Sequence, residues 1–187
     1  MAWFNVLKGA YPSLQQVDKV LNCAVGETGI VRGSLIYQDG MTWKLATAAQ
    51  NNVPGAYIHF ALMSQTDLTA GMAGGIGQGI GSGVVLGGGV TAGLGTARIN
   101  GLAVGMPFEF ETDQFVTTAQ YTVGQLLTVA NGGLLTSHST GLNCIAQVTK
   151  ATATRWVNSA IAVTGWRLGA NVSVLTARTL WIPKLTV

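Results

Sequence analysis

Gly33-Ser34-Leu35-Ile36-Tyr37-Gln38-Asp39-Gly40-Met41-Thr42-Trp43-Lys44-Leu45 decides the fold class of this 187-residue chain. Leu35-Ile36-Tyr37 and Met41-Thr42-Trp43-Lys44-Leu45 are short runs of branched and aromatic residues, which fit a pleated, half-buried surface. Asp39-Gly40 lies between them, and a two-residue hairpin turn needs φ > 0 at its centre. Two antiparallel strands are the direct reading.

The same unit recurs downstream. Gly124-Gln125-Leu126-Leu127-Thr128 followed by Asn131-Gly132 parallels Gly33 to Tyr37 followed by Asp39-Gly40. A small-residue stretch then leads to a further apolar segment in each copy, Ala56 to Leu62 and Leu142 to Val148. Two copies are too few for a solenoid, which needs at least three repeats. They suit a mostly β chain, a small β-barrel or β-sandwich with pseudo-duplicated hairpins.

Around this frame the chain divides further. Residues 1–24 read as an extended N-terminal arm, with apolar Trp3, Phe4, Val6 and Leu7, a break at Pro12, and a short helix opening at Pro12-Ser13 toward Val20-Leu21. Residues 25–187 read as a single β-rich domain with a glycine-rich insert at 68–105. Fourteen of the 26 glycines fall between Gly71 and Gly105, and no charged residue occurs from Leu68 to Ala97. Three readings compete for this insert. Its uncharged length exceeds the ~20 residues that span a bilayer, and Gly75-x-x-x-Gly79-x-x-x-Gly83 is a small-residue helix-packing pattern. However, each glycine costs a helix about 1 kcal/mol relative to alanine, and no solid Leu/Ile/Phe run is present. A phosphate loop fails because neither a completed G-x-G-x-x-G nor a G-K-[ST] occurs. Gly75, Gly77, Gly79, Gly81 and Gly83 alternate with period two, which suits an extended loop or arm lying flat on a neighbour. Trp3, Phe4 and these glycines are the candidate protein-contact residues.

Farther on, Met106 to Asp113 alternates apolar and acidic residues and reads as a half-exposed strand at a sheet edge. Val172-Ser173-Val174-Leu175 and Thr179-Leu180-Trp181-Ile182 read as closing strands.

Chemistry is sparse. Charged residues make up 9% of the chain, against roughly 25% in an average soluble domain. A surface so poor in charge fits a subunit that hides much of itself against partners. The ten basic residues are scattered singly, unlike the stripes of nucleic-acid binders. Cys23 and Cys144 have no metal-ligand spacing and read as small buried residues, with a disulfide left open. Glu109 and Glu111 share one strand face and could work as an acid/base pair, but a solvated face is the simpler reading. Ser137-His138-Ser139 lacks a third orienting group, and His59 reads as a strand histidine. No enzyme, cofactor or metal is expected. The start lacks the basic region and apolar core of a secretory signal, so synthesis in a cytoplasm is expected.

Three phrases carry a resemblance: Gly26 to Tyr37, Val123 to Leu134, and Ile145 to Ala151. An opening phrase, a Gly-x-Leu-Leu strand, an Asn-Gly turn and an Ile-Ala-x-Val strand together resemble the capsid decoration, or cement, proteins of tailed bacteriophages. The likeness covers about residues 25–62 and 105–151. It implies a β-rich subunit on the outer capsid surface, often a homotrimer, that binds the major capsid protein and reinforces the shell without catalysis, nucleic acid or membrane. The alternatives are another virion part (tail-tube, connector or fibre-base subunit) and a membrane-active glycine-rich protein.

Overall fold

The computed structural model describes residues 2–8, 20–52, 58–62, 64, 98–104, 107–138, 143–161 and 167–180. Its strands are β1 (Phe4–Lys8), β2 (Val20–Val25), β3 (Leu35–Asp39), β4 (Thr42–Leu45), β5 (Ile58–Ala61), β6 (Arg98–Ala103), β7 (Glu109–Thr112), β8 (Leu126–Ala130), β9 (Leu134–Ser137), β10 (Ala146–Ile161) and β11 (Arg167–Thr179). No α-helix occurs among the described residues. The chain is mostly β, in keeping with its hairpin phrases: a closed five-stranded barrel in the order β2-β4-β3-β5-β6 and a six-stranded sheet in the order β1-β7-β11-β10-β8-β9.

The two bodies share one strand plan. In the barrel the hydrogen-bonded neighbours follow the order β4-β3-β5-β6-β2, and in the sheet β9-β8-β10-β11-β7. Each half opens its first hairpin with the same turn. Ser34 N–H donates to the Val31 carbonyl and Gln125 N–H to the Thr122 carbonyl, both at 3.0 Å. Gly33 and Gly124 sit at φ +86° and +88°, the third position of a type II turn, where a side chain would be strained. Gly33 N–H donates to Ala61 and Ala61 N–H to Ser34; Gly124 N–H donates to Val148 and Val148 N–H to Gln125. These reciprocal bonds place Ala61 and Val148 at equivalent positions.

Closure differs between the halves. In the barrel, β2 meets β4 in parallel at Ala24↔Thr42 and Val25↔Trp43. In the sheet the equivalent contact shrinks to one parallel bridge, Phe115↔Leu135, and β1 occupies the edge of β7.

Period-two alternation then sorts the side chains. Ile36, Trp43, Ala61 and Ile99 fill the barrel with Cys23, Val25 and Ile30, while Leu35, Ile58, Phe60 and Leu102 point outward into a larger core shared with the sheet. Trp43 is fully buried, donates its indole N–H to the Ile99 carbonyl at 2.9 Å, and packs on His59 at 4.9 Å between ring centroids. A Cβ on Gly101 would lie 2.7 Å from Trp43 Cζ2, so glycine is what lets the indole sit there. At the seam, Phe4, Phe60, Phe108 and Phe110 form an aromatic cluster with centroid spacings from 4.6 to 6.0 Å. Backbone bonds cross the seam as well. Leu35 N–H donates to Gly133 at 2.7 Å, and Gly133 N–H donates to Ala46 at 2.9 Å.

Several local expectations are corrected. The barrel hairpin turns at Gly40-Met41 rather than Asp39-Gly40, because Asp39 pairs with Thr42. Only Gly40 then needs positive φ, and it has +60°. The sheet hairpin turns on three residues, Asn131-Gly132-Gly133, with both glycines at positive φ. Residues 1–24 are not an arm throughout: Phe4–Lys8 pairs with β7, and Val20–Val25 is a barrel strand. Phe4 and Val6 both contact the core, a strand period that the adjacent aromatics Trp3 and Phe4 conceal. The expected helix start at Pro12-Ser13 lies outside the described residues. Residues 98–103 of the insert are a barrel strand, since Ile99 and Leu102 face opposite sides into the two cores. The strand within 106–113 is interior, between β1 and β11, and all four β7 residues are buried. Val172 to Leu175 lies within β11, and Trp181 and Ile182 lie outside the described residues.

Candidate functional site

Phe108 and Phe110 face the core, so Glu109 and Glu111 face the outer side of the six-stranded sheet. Their cross-strand neighbours there are Lys8 and Asn5 on β1 and Arg178 and Thr176 on β11. The alternating pattern predicts a solvated face, yet Glu109 and Glu111 are 7% and 4% exposed. The cover comes from β10, two strands away. Thr149 donates its hydroxyl to Glu109 Oε1 at 2.9 Å, and Lys150 Nζ stands 3.9 Å from the same oxygen. Arg155 forks onto Glu111, with Nη2 at 2.6 Å from Oε1 and Nε at 3.3 Å from Oε2. Such a bidentate pair fixes geometry as well as charge.

The Arg155 hydrogen bonds hold the Glu111 carboxyl below its ordinary range against the opposing effect of burial. The Trp3 indole N–H, buried and without a well-formed hydrogen bond, lies near enough to help lower it. Trp3 is half-buried, and its carbonyl accepts from Asp113 N–H at 3.1 Å. Phe4, a candidate contact anchor by sequence, is 3% exposed and belongs to the core. Gly75, Gly77, Gly79, Gly81 and Gly83 lie outside the described residues.

The other feature on this side is a ribbon. β10 pairs with β8 only at Ala146 and Gln147, and β11 pairs with β7 only from Leu175 to Arg178. The β10–β11 ladder nevertheless continues to Ile161↔Arg167. Beyond Lys150 no other described strand pairs with it, and at ~3.3 Å per residue the ribbon runs on for about 35 Å. Ala151, Thr152, Thr154, Arg155 and Trp156 are exposed to differing degrees, Trp156 at 61%. An open groove of about 410 Å³ lies between its base and the loop after β7, lined by Phe115, Thr117, Gln120, Tyr121, Thr152 and Ser173. No lining side chain carries a charge.

His59 is inside the barrel against Trp43. His138 follows β9, its N–H donating to Leu126 at 2.9 Å, and Ser139 lies outside the described residues. The structure does not bring either histidine together with the glutamates. Cys23 and Cys144 form no disulfide with each other, and burial pushes the Cys144 thiol up. Among the described residues no three or more His, Cys, Asp or Glu side chains cluster to hold a metal, and no helix is long and apolar enough to cross a membrane. The ribbon had one legible signal: Asn143 to Thr164 contains neither Gly nor Pro. Nothing local marked Arg155 as the partner of Glu111, 44 residues away. No protein-family model, curated protein or solved structure matches the chain.

Proposed function

We propose that this chain is a virion structural subunit that binds the outer surface of a phage head and stabilises the shell through subunit contacts, without catalysis or a cofactor. One observation carries the reading. A ribbon of two strands runs past its own sheet, and an isolated two-stranded ribbon is marginal in water. Its edges, unpaired by any other described strand, are rows of main-chain donors and acceptors, which a neighbouring subunit can pair by strand addition. The 9% charge content suits a surface that becomes covered. The major capsid protein is the proposed partner, and a homotrimer or similar homo-oligomer is the proposed form. The protein would be made in the host cytoplasm and would act on the assembled virion. Binding only to the assembled shell would stabilise it by mass action.

Co-sedimentation with phage shells that lack the protein tests this reading. Saturable binding and a higher shell disruption temperature are expected. Absence from the shell pellet at saturating concentration would refute it. The same ribbon favours a second reading, a tail-tube, connector or fibre-base subunit whose hairpin lies across the next copy in a ring. Rings or tubes in negative stain, without shell binding, would select that reading.

A further inference from the structure

Where the ribbon leaves the sheet, its pairing is irregular. The β10–β11 register shifts between Val148 and Lys150 and again between Lys150 and Ala153. Extra residues of this kind bend a strand and increase its twist. The bend joins two side chains that a flat sheet would hold apart. Arg155 pairs with Val172, whereas Glu111 pairs with Thr176. The two side chains therefore originate four residues apart along β11 and two strands apart across it. On a flat sheet their backbones would stand about 16 Å apart, from ~3.3 Å per residue and ~4.8 Å between strands. Meeting at 2.6 Å requires the ribbon to curl toward the outer face.

We infer that Arg155 and Glu111 are positioning residues that lock the direction of the β10–β11 ribbon relative to the six-stranded sheet, with its bulged base as the hinge. Thr149, the extra residue of the first irregularity, is tied to Glu109, so the hinge is anchored on one side. Lys150 adds a cation over the same carboxylate. The opposite side is open: Thr152 and Ser173 border the groove of about 410 Å³, which leaves room for the ribbon to swing once the lock is lost. Glu111 is nearly buried while Arg155 remains about half exposed, as a fixed catch and its movable counterpart would be. The inference deepens the proposed function, and it rests on that reading only for what the ribbon meets. The direction itself belongs to the isolated chain.

Spin labels test the lock. In a background carrying Cys23→Ala and Cys144→Ser, labels at Met41→Cys, on the exposed barrel hairpin, and Thr154→Cys, on the ribbon, report their separation by pulsed electron paramagnetic resonance. A narrow distribution is expected for the parent. Glu111→Gln and Arg155→Gln should each broaden or shift it, and the double substitution should add nothing further. An unchanged narrow distribution in both single variants would overturn the inference. So would a loss of amide protection throughout β7 and β11 in hydrogen exchange, which would make the pair a support of the sheet itself. Shell co-sedimentation of the parent separates the two ideas. A parent that responds in the label experiment but does not bind shells supports the lock and refutes the function. A parent that binds shells with its labels unmoved by either substitution does the reverse.

Discussion

The barrel half and the sheet half follow one strand plan to two different ends. In the first, β2 closes onto β4 around Trp43, and Gly101 leaves space for the indole. At the matching positions the second half has Leu135, on its single parallel bridge, and Ala177, paired with Val148 as Gly101 pairs with Ala61. A smaller side chain at the centre leaves less to close around, and β1 takes the edge of β7 instead. Closure thus goes with a bulky residue and a missing Cβ opposite it. The open half gains what the barrel lacks: a broad outer face and a ribbon that continues beyond it.

Removing the central side chain from each half should break the comparison most sharply. Trp43→Ala is expected to cost about 4 kcal/mol and Leu135→Ala about 3 kcal/mol, the range for large core truncations. Urea unfolding measures both, and an equal or reversed order would remove Trp43 from its role in closure. Gly101→Ala is next. Forcing a methyl against Trp43 should cost about 2 kcal/mol, as overpacking does, and the loss should shrink in a Trp43→Phe background.

The smallest effect is acid dependence confined to the open half. Glu111 faces Asn5 and the nearby Lys8 from β1, Thr176 and Arg178 from β11, Lys150 and Arg155 from β10, and Glu109 on its own strand. Trp3 stands beside it. Because its folded pKa is lowered from 4.5, chiefly by the Arg155 hydrogen bonds, the unfolded chain takes up a proton first as pH falls. The stabilisation is fully present above the unfolded value and is lost as pH drops through the folded one. The difference in urea midpoint between the parent and Glu111→Gln should therefore narrow below about pH 4.5. A constant difference from pH 7 to pH 3 would contradict the sign.

Much of this plan was legible locally. Gly33 and Gly124, the two hairpins and the apolar strand after each one carry the duplication in residue order alone. The barrel's closing contact was not legible, because Val25 and Trp43 meet in parallel across an intervening hairpin. The alternation of Phe108, Glu109, Phe110 and Glu111 correctly separates two faces, but its ordinary meaning is one face in water. Here that face is covered by a ribbon from about forty residues downstream, and no local pattern reports such cover. For the candidate site, Glu109 and Glu111 stood out as the notable carboxylates. Arg155 did not, because an isolated arginine in an Ala/Thr strand looks like any solvated cation.

Closing one half has a consequence for assembly. Among the described strands the barrel closes on itself through Ala24↔Thr42 and Val25↔Trp43, whereas the six-stranded sheet ends at β1 and β9 and sends out a ribbon that no other described strand flanks. Main-chain valence is thus concentrated on the second half, and the barrel acts as a stopper. Strand addition at the sheet and its ribbon would join copies through one half of each subunit, so copies joined in this way would acquire a polarity built into each subunit.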